Sequence, residues 1–127
     1  MSSHDRYPVS AEEILHPEPL DVPRLKDALG LTVEELAAAT DRSPRSAARW
    51  LAAEGLSPAG GNAARSIRRL AYLEFLLAEV IGAYQYGDWL RTPNPGFRGA
   101  APLDLVTSGK LEEVIGVLEV LGDGTPV

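Results

Sequence analysis

The sequence contains no cysteine, which excludes a disulfide framework, a thiolate metal site and a cysteine nucleophile. Histidine is scarce as well: His4 and His16 both fall in a proline-rich N-terminal stretch. No Ser or Lys sits in a recognisable nucleophile motif, and no set of side chains has metal-ligand spacing. The chain therefore reads as a non-enzyme that needs neither metal nor cofactor. Glu34-Glu35 and Glu112-Glu113 are adjacent pairs; neighbours on a helix point to different faces, so they read as solvated surface rather than as acid/base couples. Long apolar runs are missing too. The best, Leu70 to Ala83, is broken by Glu74 and Glu79 and falls short of the ~20 residues that a membrane span requires. The first residues lack the basic start and apolar run of a secretory leader. The expectation is a soluble, cytoplasmic protein with no membrane role.

What is present is enough to fold. Of the 127 residues, 45% are hydrophobic and 24% charged, which suits one compact domain or two small ones sharing a core. The net charge of -6 is unevenly spread. Residues 1–21 hold one Arg against five acids. Residues 42–69 hold six Arg against Glu54 alone, and residues 74–127 hold three basic residues against eight acidic ones. A basic island between acidic flanks fits an anion-binding surface in one part of the chain and a different partner in another.

No segment alternates with period two over a strand's length, whereas several repeat at three and four, so the expected fold class is all-α. Residues 1–21, with Pro8, Pro17 and Pro19, read as a mobile arm with a short helical turn near Ala11 to Leu15. From Val22 the pattern tightens. Pro23 suits a first helical turn, Leu25, Ala28 and Leu29 form one stripe, and Gly30 stops the helix. Thr32 followed by Glu35 has capping-box spacing and opens a second helix to about Ala39. After the turn Thr40-Asp41-Arg42, Ser43 supplies an N-cap before Pro44, and a third helix runs to about Glu54, ended by Gly55.

Leu56 to Asn62 reads as a linker, and a long helix follows from about Ala63 to Ala83. Its stripe of Ile67, Leu70, Leu73, Leu77, Val80 and Ile81 is widened by Phe75 and Leu76. Burial on two sides, or a self-association surface, follows from that width. A shorter helix around Tyr84 to Arg91, a loop from Thr92 to Ala101, and a helix opened by Pro102 and closed by Gly109 come next. Leu111, Val114, Ile115, Leu118 and Leu121 then mark the last amphipathic helix before a tail from Gly122 to Val127. The organisation expected is a mobile arm (1–21), a helix-turn-helix unit (22–62), and a C-terminal helical unit with its tail (63–127).

Three short helices, the third with Arg45 and Arg49 four residues apart, match the plan in which the last helix enters the DNA major groove. Leu36, Ala37, Ala47 and Leu51 would pack the helices, leaving Ser43, Arg45, Ser46 and Arg49 to face base edges. A bidentate Arg–guanine pair discriminates by ~1–3 kcal/mol. Arg65, Arg68 and Arg69 would add phosphate contacts. A scaffold whose arginines form only a solvated face is the open alternative.

The stretch "LTVEELAAATDRSPRSAARWLAAEG" resembles the Xre/Cro-like helix-turn-helix family, with Trp50 closing the motif. It departs from the family at Asp41, where Gly is usual, and at Arg42, where a small aliphatic is usual. Asp tolerates left-handed backbone. From Gly87 the sequence reads "GDWLRTPNPGFRGAAPLDLVTSGKLEEVIGVLEVLGDG". It resembles the toxin-binding domain of Xre/MbcA/ParS-type antitoxins on Trp89-Leu90, Pro93-Asn94, Gly99, Pro102-Leu103-Asp104-Leu105, Ser108-Gly109 and the late amphipathic helix. Physically, Pro93 and Pro95 around Asn94 force extended backbone, Asp104 suits a helix start, and Gly109 a left-handed cap.

The resemblance implies a RES-domain toxin as partner, an enzyme that destroys NAD, with its active-site entrance covered by the antitoxin's C-terminal region. Trp89, Asn94 and the tail residues Asp123, Gly124 and Val127 are then the candidate toxin contacts. Either Asp123 or the terminal carboxylate would meet arginines that otherwise hold pyrophosphate; a frayed terminus remains the alternative. Operator DNA is the second implied partner, and the assembly is expected to be a homodimer or a larger hetero-oligomer with toxin. A free-standing repressor with a C-terminal dimerisation domain is the other functional reading.

Overall fold

In a computed structural model, the structure describes residues 21–52 and 61–123. The expected turn at Ala11 to Leu15, the end of the third helix near Glu54, most of the linker, and the tail from Gly124 lie outside the described residues. Among the described residues all regular structure is helical, as the periodicity requires: α1 (Val22–Leu29), α2 (Val33–Ala39), α3 (Pro44–Ala52), α4 (Gly61–Leu76), α5 (Tyr86–Arg91), α6 (Pro102–Val106) and α7 (Leu111–Gly122). A π-helical turn, Leu77–Ile81, extends α4, and a 3₁₀ turn, Pro95–Phe97, lies between α5 and α6.

Local chemistry sets the helix ends. The Asp21 side chain caps α1 by accepting from the Arg24 amide at 3.1 Å, and Gly30 ends that helix in left-handed conformation at φ 68°. Thr32 and Glu35 form the capping box, with amide-to-side-chain distances of 2.9 and 3.0 Å. Gly109, at φ 82°, provides the expected left-handed residue before α7.

One core runs through the whole described chain. Ile67, Leu70, Leu73 and Leu76 of α4 are fully or almost fully buried, each typically contributing ~1.5–3 kcal/mol by leaving water. They join α1 (Val22, Leu25, Leu29) and α7 (Val114, Ile115, Leu118) in a single cluster, so α4 is buried on two sides. Cross-links reinforce the joint: Tyr86 Oη donates to the Ala28 carbonyl at 2.9 Å, and Arg24 pairs with Glu74 at 3.5 Å.

Three expectations change. The central helix starts at Gly61 rather than Ala63 and does not stay α-helical to Ala83: the Gly82 amide reaches back five residues to the Leu77 carbonyl at 3.0 Å, and Gly82, at φ 113°, ends the helix. The next helix consequently begins at Tyr86, leaving Tyr84 fully exposed. At the far end, the last buried core residue is Leu118; Leu121 is 45% exposed because it lies on the opposite face of α7.

Candidate functional site: a basic helix face and an acidic C-terminal face

The turn between α2 and α3 is closed from inside. Buried Thr40 donates its hydroxyl to the Leu36 carbonyl at 2.9 Å, and the Arg42 amide bonds the Ala37 carbonyl at 2.9 Å. Asp41 takes left-handed backbone at φ 56°, the conformation that glycine adopts without cost and Asp tolerates. The Ser46 amide then donates to Ser43 Oγ at 3.2 Å, so the hydroxyl of Ser43 serves as the cap of α3.

With Ala47 buried against α2, this phase leaves Ser43, Arg45 and Arg49 exposed and Ser46 half-buried. Arg65 is exposed and Arg68 half-buried on α4. No described carboxylate lies within ion-pair distance of Arg45, Arg49, Arg65 or Arg68. Arg69 is placed differently. Its guanidinium grips Glu112 of α7 through bonds of 2.9 and 2.7 Å and lies 5.1 Å from the centroid of the Tyr72 ring. Its hydrogen bond to Glu112 holds its proton more tightly than usual and pushes the Glu112 pKa down. Arg69 thus fastens α4 to α7, at the edge of a cleft of about 640 Å³ that Asp41 and Arg65 also line.

The second face lies on α5, α7 and the loop after α5. Asn94 folds that loop: its side-chain oxygen accepts from the Gly96 amide at 2.8 Å, while its own amide and carbonyl bond Ala100 and Gly99. The resulting turn buries Phe97, whose ring meets Trp89 edge to face at 6.1 Å between centroids and 78° between planes. Trp89 itself is half-buried. Phe97 also forms one wall of a groove whose other side is α7. The sequence-assigned Trp89 and Asn94 are therefore brought together, and both support the groove wall. Asp123 is exposed at the end of α7, while Gly124 and Val127 lie outside the described residues.

Pattern reading missed the residues that lock the two faces together. Arg91 donates to both Glu35 oxygens, at 3.2 and 2.9 Å, and to the Gly30 carbonyl at 2.7 Å, tying the start of the loop to α2. Hydrogen bonding from Arg91 holds the Glu35 pKa below the usual glutamate range. The acidic pairs read as plain solvated surface are in fact engaged: Glu35 with Arg91, Glu112 with Arg69, and Glu113 with Arg98 at 3.9 Å. Among the described residues no group of side chains could hold a metal ion, and no helix is long and apolar enough to cross a membrane.

Residues 76–124 match the antitoxin Xre/MbcA/ParS C-terminal toxin-binding domain. The chain is 38% identical over 98 residues to the mycobacterial cidal antitoxin MbcA of Mycobacterium tuberculosis and of Mycobacterium bovis, covering 77% of this chain and 85% of each relative. The crystal structure of the M. tuberculosis MbcT-MbcA toxin-antitoxin complex contains a chain that superposes with a TM-score of 0.61 at 36% identity, covering 84% of this chain and 95% of that one. The chain belongs to the Xre/MbcA/ParS family of antitoxins. Like its relatives it is an antitoxin and not an enzyme.

Proposed function

We propose that this chain is the cytoplasmic antitoxin of a two-gene module. Its C-terminal unit, residues 63–127, covers the active-site entrance of a RES-domain, NAD-degrading toxin. Its helix-turn-helix unit, residues 22–62, binds the module's own promoter. The observation that carries this reading is the shared architecture: the fold resembles a chain of a solved toxin–antitoxin complex over 95% of that chain's length. Two local features support it. Leu118 anchors α7 in the core and the helix ends at Gly122, which fixes the point from which the last residues continue toward a partner. On the other face, α3 presents Arg45 and Arg49 free of described carboxylates, as DNA contact requires.

The test is co-expression with the product of the neighbouring gene. A stable complex with cellular NAD preserved is the expected outcome. Absence of both complex and toxicity would leave the free-standing repressor, to be examined by promoter binding.

A further inference from the structure

Helix α7 is apolar on two sides. One stripe, Leu111, Val114, Ile115 and Leu118, is buried in the core. A second stripe, Gly116, Val117, Val120 and Leu121, recurs at helical spacing and faces outward: Val117 is half-buried, and Val120 and Leu121 are each 45% exposed. With Gly96 and Phe97 this stripe lines a groove of about 500 Å³, at whose edge stand Glu112 and Glu113. The wall is rigid on the loop side, because Phe97 is braced by Trp89 and its turn by Asn94.

Charge decides what fits. Residues 74–127 carry eight acidic against three basic residues, and Glu113, Glu119 and Asp123 are exposed on and after α7. A second copy seated here would set acidic surface against acidic surface. Residues 1–21, with five acids and one Arg, are equally mismatched. We propose that the groove is a second toxin-binding surface that takes an apolar side chain of the toxin flanked by Lys or Arg. This rests on the antitoxin reading and divides its labour. The groove supplies affinity, and the tail, which continues from the same helix, acts at the raised local concentration that this affinity creates.

The test measures the affinity of the purified chain for the toxin encoded beside it. Val120→Ser combined with Leu121→Ser is expected to weaken binding at least about tenfold, as loss of a buried apolar anchor does. Glu113→Lys is expected to weaken it roughly threefold or more, with the larger effect at low salt. Melting temperatures should stay near that of the parent chain, since these side chains are exposed. If the parent chain binds and neutralises while the Val120/Leu121 variant binds within about twofold of it, well inside the tenfold step, the groove proposal is overturned and the antitoxin reading survives. If that variant instead loses self-association of the free protein and keeps toxin affinity, the groove belongs to a second copy. A parent chain that fails to bind the toxin overturns both.

Discussion

Arg91 reaches back 56 positions to Glu35, holding both carboxylate oxygens while a third bond closes on the Gly30 carbonyl. It joins the end of α5, where the toxin-binding loop starts, to the α1–α2 corner of the helix-turn-helix. Replacing Arg91 by Ala should lower stability by about 1–2 kcal/mol, nearer the lower figure because the guanidinium side chain is half exposed and screened. Denaturant titration of the two proteins measures the difference.

The same pairing sets a pH dependence. Arg91 and Arg69 hold Glu35 and Glu112 below their ordinary pKa. Their stabilisation is therefore fully present above the unfolded glutamate value of about 4.3 and is lost as pH falls through the lower folded values. Thermal unfolding from neutral pH to pH ~3 should show a midpoint that drops below that value. Arg91→Ala should flatten the drop. An equal acid loss in both proteins would assign the effect to other groups.

Asp41 occupies left-handed backbone at φ 56° with its side chain exposed. Asp41→Gly removes that conformational cost and should stabilise the fold by up to about 1 kcal/mol. Asp41→Val should destabilise it, since a β-branched residue resists positive φ. Melting curves of the two variants, moving in opposite directions, check the turn geometry.

The basic residues should separate by role. Arg45→Ala with Arg49→Ala should weaken promoter binding and make its salt dependence shallower, by roughly one unit of slope for each phosphate that is no longer neutralised. Arg69→Ala should lower stability instead, because its guanidinium is committed to Glu112 and Tyr72. A filter-binding series at several salt concentrations, beside melting curves, distinguishes the two.

Legibility in the sequence followed the range of the interactions. Features set within four residues were readable: the Thr32–Glu35 capping box, the Gly30 stop, the left-handed Asp41, the Ser43 cap and the Asn94-folded turn all follow from local backbone chemistry. Features set by chain return were not. Nothing near Arg69 foretells Glu112, 43 positions away, so charge alone groups Arg69 with residues that face solvent. Leu121 fits the apolar period of α7 as well as Leu118 does, yet one is exposed and the other buried. On a helix that is apolar on two sides, periodicity cannot say which side meets the core. The groove on α7 is illegible for the same reason.

The central claim, that the C-terminal end of this chain shields a toxin's active site, is tested most directly by cellular NAD. The toxin encoded beside this gene would be expressed with either the full chain or a chain ending at Leu121. The core ends at Leu118, so the shortened chain should fold and still bind. The account predicts NAD preserved by the full chain and depleted with the shortened one. Equal protection by both would contradict it.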